Sequence, residues 1–424
     1  MRLRAKASIA TLVLFLATSC SDVGPRPVAT TEASAILRSR PADSDGRLRI
    51  GVLLPTTGPG KDLSPPLLRA IDLAVTQINA AGGVFDREVE LVRVDEGADV
   101  ASASASLEQL LREDPVDAVI GPASSRIALG LRDRFAANQM PTCSPLATAS
   151  DLSSSADNGF FFRTIPSDLL QAVAMAGAIE LTGGKTTSIV FADDAYGSSF
   201  NQALRTDLTR RGINLVSSIP YDTTARAYKD VAARMFNGNP TDSIAVIGAG
   251  ESGARVLAAL RSNGGSKTKV IVSDALRSVG SSSERPDANP LWLDGVQGVG
   301  PRARAGNDTW LKQFNDQANG VGDIYAAYAY DCVNLIALSA IAGNSESPAK
   351  LAINMISVSR SGVSCPSFAS CKSQLGDKRN IDLVGASGPL DLTDGGDVSS
   401  GLFDNFTFDS EGRDRVVAQP ITAP

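Results

Sequence analysis

Two adjoining segments, "RLRIGVLLP" (47–55) and "SPPLLRAIDLAVTQINAAGG" (64–83), decide the fold class. The first is a short apolar run, typical of a buried strand. The second begins with Ser64 as a possible N-cap and Pro65 at the first helical position, and Gly82-Gly83 ends it. One stripe carries its apolar residues, which are Leu67, Ile71, Val75 and Ile78. The two segments therefore predict a buried strand followed by an amphipathic helix.

The same alternation of strand and helix continues along the chain in two series. In the first series, predicted strands at 88–96 and 116–122 precede helices near Val100 to Arg112 and Ser125 to Asn138, and a strand at 139–145 closes it. The second series has predicted strands at 187–194, 213–222, 242–250 and 269–276. Strands that alternate with helices favour parallel sheets covered on both faces. Two series predict two α/β lobes.

Composition excludes several classes of function. The chain has 424 residues, of which 43% are hydrophobic, and its formal net charge is −6. An acidic chain without a basic run offers no surface for phosphate neutralisation, so we expect no nucleic-acid partner. Histidine is absent from the sequence. Without histidine, and without clustered thiols, we also expect no metal site and no cofactor.

The N-terminus has the pattern of an export signal. Basic residues start it, and an apolar run of eleven residues, Ala7 to Ala17, follows. This run is shorter than the ~20 residues that span a bilayer. The small residues before Cys20 resemble the lipobox of bacterial lipoproteins, which predicts a signal peptide at 1–20 and lipidation of Cys20; an ordinary signal peptide cleaved nearby is the alternative. Residues 21–46 are rich in Ser, Thr, Ala and Pro, which indicates a flexible tether.

Export permits disulfide bonds among the remaining cysteines. Cys365 and Cys371 lie six apart in "SCPSFASC", where we expect a local bridge. Cys143 and Cys332 either pair with each other or remain two buried thiols. The segment 324–343 is apolar enough to suggest a membrane span, but its Asp331 and Asn334 favour a core helix instead. We therefore expect contact with a membrane only through a lipid anchor.

Polar residues collect after the predicted strands, where ligands bind in open parallel sheets. In the first series, "GPASS" (121–125) and "SPLAT" (144–148) offer hydroxyls and backbone N–H groups without Lys or Arg, so they could hold an anion; helix capping is the alternative. In the second series, Tyr196, the "GAGES" loop with Gly250, and Asp274 occupy equivalent places. A carboxylate such as that of Asp274 can hold an ammonium group.

A hydrolase is the main competing class, because "PTCSPLAT" (141–148) contains Cys143 and Ser144. Either nucleophile needs a base, and histidine is the usual one. The chain has no histidine, and no Ser-x-x-Lys pattern lies near these residues. We therefore predict a protein that is not an enzyme.

Nine segments in order resemble the leucine/isoleucine/valine-binding protein family of type I periplasmic binding proteins. They are "IGVLLPTTGPG", "AIDLAVTQINAAGG", "VIGPASS", "SPLATAS", "FFRTIPSD", "DDAYGSSF", "VSDAL", "YAAYAYDCVNLIALS" and "ASGPLDL". The resemblance implies two Rossmann-like lobes with parallel sheets, joined by three hinge crossings. Lobe 1 would comprise 47–163 and 301–385, and lobe 2 would comprise 166–296 and 388–420.

The resemblance also implies a function and a set of ligand contacts. Ser125, the Leu146 backbone and Thr148 match positions that hold a ligand carboxylate. From the second lobe, Tyr196 matches an aromatic contact and Asp274 an acidic residue that holds the α-ammonium, and we add Gly250 as a further candidate. The implied protein captures an amino acid or similar small zwitterion or amide and delivers it to the inner-membrane permease of an ABC importer. A protein that senses the ligand and signals to a partner without transport is the alternative.

Overall fold

The computed structural model describes residues 45–424 except 59, 154–156, 238–239, 265–267, 281–289, 303–307, 319–324 and 418–419. All of these described residues belong to one compact unit. The predicted signal peptide, Cys20 and nearly all of the predicted tether lie outside the described residues.

The first sheet is formed by the N-terminal third of the chain. Its strands are β1 (Arg49–Leu54), β2 (Glu90–Asp95), β3 (Ala118–Ile120), β4 (Thr142–Ser144) and β5 (Phe161–Arg163). They run parallel in the order β2-β1-β3-β4-β5. Strand β1, predicted from its apolar run, lies between β2 and β3 and is almost completely buried. A strand paired on both sides and covered on both faces needs such an uninterrupted apolar sequence.

Helices from two distant parts of the sequence cover this sheet. The early ones are α1 (Ser64–Ala80), α2 (Val100–Arg112) and α3 (Ser125–Ala137). Local side chains fix where these begin, since Asp99 accepts the Ser102 N–H at the start of α2 and Ser124 accepts the Ile127 N–H at the start of α3.

The second sheet contains the next series of strands. They are β6 (Thr186–Ala192), β7 (Asn214–Tyr221), β8 (Ser243–Ile247), β9 (Lys269–Ser273) and β10 (Gln297–Pro301). These strands are parallel in the order β10-β9-β8-β6-β7. The helices between them are α4 (Asp168–Leu181), α5 (Ala195–Arg210), α6 (Lys229–Phe236) and α7 (Gly250–Gly264).

After β10 the chain returns to the first sheet. It forms α8 (Asp308–Ala318), α9 (Ala326–Gly343), α10 (Pro348–Ser357), β11 (Val363–Cys365), α11 (Phe368–Gly376) and β12 (Ile381–Leu383). Helix α9 packs against α1 and α10. Although α9 is the one helix of the described residues long and apolar enough to cross a membrane, 83% of it is buried inside the protein. It serves as a core helix here, as its Asp and Asn residues indicate.

The C-terminal strands extend the second sheet in a way that the sequence pattern did not predict. They are β13 (Gly401–Phe408), β14 (Asp414–Val416) and β15 (Ile421–Ala423). Strand β13 pairs antiparallel with β10, and both β14 and β15 pair antiparallel with β13. The second sheet is therefore parallel over its first five strands and antiparallel at this edge.

The chain passes between the two sheets three times among the described residues: after β5, after β10 and between β12 and β13. The exact boundaries of the two lobes stay a prediction. Leu390, Leu392 and Val398 pack in the same core as α1 and α9. This packing favours a third crossing closer to Gly401 than to the predicted lobe boundary at 385–388.

Two disulfide bonds lie in the part built around the first sheet. Cys365 and Cys371 join β11 to α11, as expected from their spacing. Cys143 and Cys332 also pair and join β4 to α9, with Cα atoms 5.7 Å apart. The sequence had left this second pair open between a bridge and two thiols.

Candidate functional site

The predicted site residues lie where strands of both sheets end. Ser125 and Thr148 follow β3 and β4 of the first sheet, while Tyr196 and Asp274 follow β6 and β9 of the second. The carboxyl ends of parallel strands gather loops and helix N-termini at one edge, so residues far apart in sequence meet there.

On the first-sheet side, Ser125 and Thr148 are in direct contact. The Ser125 Oγ accepts hydrogen bonds from the backbone N–H groups of Thr148 at 3.1 Å and Ala149 at 3.2 Å. The N-cap of α3 is the neighbouring Ser124, so Ser125 is not consumed by capping. Because the Ser125 oxygen accepts two N–H groups, its own proton is oriented away from them and can be donated to an anion.

The loop before Ser125 is held by a buried carboxylate that the sequence did not suggest, that of Glu96, which follows β2. Glu96 accepts the N–H groups of Ala123 at 2.7 Å and Ser124 at 3.0 Å. Burial raises the pKa of Glu96 to about 7, although the two backbone hydrogen bonds oppose this. Two amides of the predicted anion cradle are therefore engaged by the protein itself, and the N–H groups of Thr148 and Ala149 are engaged by Ser125. The hydroxyls of Ser125 and Thr148 remain as candidate donors.

A buried arginine, Arg163, holds the loop that contains Thr148 through its backbone carbonyls. The Arg163 guanidinium donates to the carbonyl oxygens of Ala147 at 3.2 Å and Ala149 at 3.0 Å. It also forms an ion pair with Asp397 at 2.6 Å and donates to the Ser153 hydroxyl. The loop sequences contain no Lys or Arg and had therefore indicated a site of neutral groups. The fully buried Arg163 adds a positive charge beneath these loops.

On the second-sheet side, Asp274 is surrounded by donors. Its Oδ2 accepts from the Tyr325 hydroxyl at 2.7 Å, and its Oδ1 accepts from the Gln171 amide at 2.8 Å and the Tyr196 hydroxyl at 3.4 Å. Burial raises the pKa of Asp274, and the hydrogen bonds from Tyr325 and Gln171 partly offset that rise. The predicted pair Tyr196 and Asp274 is thus brought together.

Asp168 connects the two sides. Its backbone N–H donates to the Thr148 carbonyl at 2.8 Å. Its carboxyl is fully buried, which raises its pKa to about 7; the Thr148 hydroxyl and Arg163 lower that pKa, while the charge of Asp274 raises it. Ser125, Thr148, Tyr196 and Asp274 therefore belong to one continuous group of side chains.

The two remaining candidates are less closely involved. The Leu146 N–H donates to Ser144 Oγ at 3.3 Å, and the side chain packs partly buried against the first core. Gly250 is the first residue of α7 and has φ 57°. Among the residues that the structure describes, no hydrogen bond joins Gly250 to the other candidates. The predicted ligand contacts of all six residues stay predictions.

Neither potential nucleophile is placed for catalysis. Ser144 is fully buried, donates to the Pro122 carbonyl at 2.6 Å and accepts the Ala147 N–H at 2.9 Å. Cys143 is bonded to Cys332. Both residues of "PTCSPLAT" that could attack a substrate therefore hold the loop in place.

Three polar residues of this group were not predicted from the sequence: Asp168, Gln171 and Tyr325. Asp168 ends the motif "FFRTIPSD", and Gln171 follows three positions later, on the same face of α4. That spacing was the available signal. Tyr325 directly precedes α9, and its backbone has a positive φ of 68°, which no local pattern predicts.

A separate cavity of about 300 Å³ lies at the connections between the sheets. Its lining residues include Thr164, Pro166, Arg302, Tyr328, Ser387 and Ser400. None of the six predicted site residues lines it. The buried carboxyls of Asp168 and Asp274 lie instead in the group around Asp274.

Comparison with known proteins gives consistent results. Residues 47–375 match the family model described as "Periplasmic binding protein". The chain is 28% identical over 361 residues to the chemotactic signal transduction system substrate-binding protein BasB of Halobacterium salinarum. The alignment covers 81% of this chain and 83% of BasB.

Two solved structures share the fold. The leucine binding protein LivK from Thermotoga maritima aligns with a TM-score of 0.74 and 17% identity, over 89% of this chain and 98% of LivK. An ABC transporter solute binding protein from R. palustris, in complex with benzoate, aligns with a TM-score of 0.71 and 17% identity, over 89% of this chain and 98% of that protein.

Proposed function

Because the chain belongs to the periplasmic binding protein family, a family of solute-binding proteins and not of enzymes, we propose that it captures one small zwitterion, such as an amino acid. The observation that carries the proposal is the opposed chemistry of the site. The hydroxyls of Ser125 and Thr148 suit a carboxylate, and the buried Asp274 suits an ammonium group. The leucine binding protein LivK has the same fold, which agrees with an amino acid as ligand.

Contacts between the two sides suggest how the ligand would be enclosed. Ser150 of the first-sheet side donates its N–H to Ser199 Oγ of α5 at 2.7 Å, and Asp168 of α4 donates to the Thr148 carbonyl. We propose that these contacts form when the lobes close on the ligand and break when they open. Closure would exclude water, so that the charge of Asp274 acts at a low effective dielectric constant.

Family membership implies a location outside the cytoplasm. We propose in addition that Cys20 carries a lipid that holds the protein at the outer face of the cell membrane. There it would present its closed form to the permease of an ABC importer.

Sensing without transport is the second candidate, and the match to BasB favours it, because BasB is a substrate-binding protein of a chemotactic system. Cells that lack the gene distinguish the two. Loss of ligand uptake supports transport, whereas intact uptake with a lost chemotactic response supports sensing.

The ligand is tested by thermal unfolding of the purified protein with amino acids, amides, urea, benzoate and 4-hydroxybenzoate. A ligand that binds the folded state raises the melting temperature. Calorimetry with Asp274→Ala follows, and we expect a zwitterion to lose about 3–5 kcal/mol of binding free energy, because its buried ammonium loses a partner. Binding of no compound in the panel would refute solute capture of this kind, and unchanged binding to Asp274→Ala would refute the role of Asp274.

A further inference from the structure

The cavity of about 300 Å³ at the connections between the sheets has walls from all three of those connections. Thr164 and Pro166 directly follow β5, and Arg302 directly follows β10. Ser387 and Ser400 belong to the stretch between β12 and β13. A molecule in this cavity would therefore contact all three connections at once. We refer to the cavity as the connection cavity.

Arg302 is the one charged residue among the described residues that line the connection cavity. Its guanidinium lies 3.4 Å from the Asp404 carboxyl, and it donates no hydrogen bond to any residue that the structure describes. Asp404 also pairs with Arg277 at 3.2 Å, so two arginines share this carboxyl. A guanidinium has five N–H donors. Most of those of Arg302 are therefore available to an anion in the cavity.

The hydroxyl of Tyr328 offers a second donor. Tyr328 lines the connection cavity and is only 3% exposed. Its backbone carbonyl accepts the Thr164 hydroxyl at 2.8 Å, but no described residue forms a hydrogen bond with its own hydroxyl. Burial raises the pKa of Tyr328, so this hydroxyl keeps its proton and can donate it. Polar groups of buried residues normally have partners, and this one is free to bind a ligand.

A buried carboxyl next to the connection cavity is already neutralised by protein donors. Asp331 accepts the N–H groups of Ala386 and Ser387, both at 2.7 Å. It also accepts the Ser387 hydroxyl at 2.5 Å. Ser387 therefore presents no free donor to the cavity, and Asp331 presents no unpaired acceptor to a cation.

The rest of the wall combines hydroxyls with apolar surface. The exposed residues Ser400 and Thr422 contribute hydroxyls. The apolar part of the wall is formed by Pro166, Pro389, Val398 and Leu402. One positive charge and several hydroxyl donors suit an anionic group, and the apolar side chains suit a short hydrocarbon body.

We propose that the connection cavity is a second ligand site and binds a small organic carboxylate. The carboxylate would accept two parallel N–H groups from Arg302 and the hydroxyl proton of Tyr328, while its hydrocarbon body packs on the apolar part of the wall. A cavity of about 300 Å³ is at the small end of the range for ligand pockets. Because the occupant contacts three connections, its binding favours the arrangement in which they meet. None of the six predicted site residues lines this cavity, so the inference does not depend on the proposed function.

The test uses butanoate, its uncharged analogue butanamide, and inorganic phosphate, which has charge but no hydrocarbon body. Calorimetric titrations are done on the wild type, on Arg302→Gln and on Tyr328→Phe. The control is Arg413→Gln, which also removes one positive charge from the second-sheet side. Arg413 is exposed, pairs with Asp409 at 3.1 Å, and is not among the residues that line the cavity.

We expect butanoate to bind the wild type, and butanamide and phosphate to bind at least about tenfold more weakly. Butanoate should bind about 10- to 100-fold more weakly to Arg302→Gln, about 3- to 10-fold more weakly to Tyr328→Phe, and within about twofold of the wild type to Arg413→Gln. No binding of butanoate, tighter binding of phosphate, or unchanged affinity of either cavity variant overturns the inference. If Arg302→Gln does not fold, Tyr328→Phe decides, because its lost hydroxyl has no hydrogen-bond partner among the described residues.

Hydrogen exchange measured by mass spectrometry locates the bound butanoate. Exchange in the wild type should slow in peptides from all three connections, around Thr164, Arg302 and Ser400, and should not change in Arg302→Gln. Slower exchange only around Ser125 and Thr148 would place butanoate in the proposed zwitterion site and overturn the inference while leaving solute capture intact. Unchanged exchange in all peptides of the wild type overturns it as well.

Discussion

The two disulfide bonds should stabilise the protein to very different extents. Cys143 and Cys332 are separated by 189 positions, whereas Cys365 and Cys371 are separated by 6. If a crosslink acts by restricting the unfolded chain, its contribution grows with the logarithm of the closed loop, and these separations correspond to about 5 and about 2 kcal/mol. The long-range bond also joins β4 to α9, two elements of one core that come from distant parts of the sequence.

The test replaces each pair by alanine, as Cys143→Ala with Cys332→Ala and as Cys365→Ala with Cys371→Ala. All four sulfur atoms belong to buried residues, so the cost of the lost side-chain volume is similar in both variants and largely cancels in their difference. The difference in loop-closure entropy between the two crosslinks then predicts that the variant without Cys143 and Cys332 is less stable than the other variant by about 3 kcal/mol.

Tryptophan fluorescence reports on the core in question. The chain has two tryptophans. Trp310 stacks on Phe314 at a ring-centroid distance of 5.2 Å, within the hydrophobic core around α1 and α9 that also contains the four disulfide-bonded cysteines. With Trp292→Phe as the background in all variants, guanidinium unfolding followed by fluorescence measures the core that the disulfides cross. Equal stability of the two variants, or a larger loss for the Cys365 and Cys371 pair, would refute the loop-length argument.

Three further predictions concern the site and the N-terminus. Burial raises the pKa of Asp168 in the folded protein to about 7, so between pH 4 and 7 the folded protein holds a proton that the unfolded chain has lost. The free energy of unfolding should therefore fall by up to about 4 kcal/mol as the pH rises from 4 to 7. Urea unfolding of Asp168→Asn should lack this part of the fall. Tyr325→Phe removes one donor to Asp274, and calorimetry should show binding of a zwitterion weakened by about 1–3 kcal/mol if that donor holds the carboxylate in place. Cys20→Ala should move the protein from the membrane fraction to the soluble fraction, and an unchanged distribution on immunoblots would refute lipidation.

Local patterns were sufficient to predict four of the five strands of the first sheet and the helices α1 to α3, whereas β5, Phe161–Arg163, was not predicted. The predicted strand at 47–55 contains β1, Arg49–Leu54, and the predicted helix within 64–83 contains α1, Ser64–Ala80. Apolar runs, helical periodicity and the residues that end helices are all encoded within a few positions. The family resemblance is likewise confirmed, because the family model matches residues 47–375.

Long-range pairing was beyond the reach of these patterns. Strand β13, Gly401–Phe408, pairs with β10 about a hundred positions earlier, and nothing in its own sequence specifies an antiparallel partner. The same reason explains why the sequence left Cys143 and Cys332 undecided. Which cysteines meet depends on where α9 lies on the first sheet.

The polar residues of the site were likewise predictable only in part. Tyr196 and Asp274 follow predicted strands, so their meeting could be expected from the topology. Glu96 and Asp168 could not be distinguished from ordinary helix-capping residues, because acidic side chains near helix N-termini are common. Their burial arises only when both sheets are in place.

The way each part is held together bears on domain closure. The first core is crosslinked by two disulfides and by the buried ion pair of Arg163 with Asp397. The contacts between the two sides are instead hydrogen bonds, such as Ser150 to Ser199 and Asp168 to Thr148. Exchange of such bonds for bonds to water changes the free energy by only about 0.5–1.5 kcal/mol each. The proposed opening of the two sides would therefore cost far less free energy than the unfolding of either core, and a ligand that contacts both sides would favour the closed arrangement.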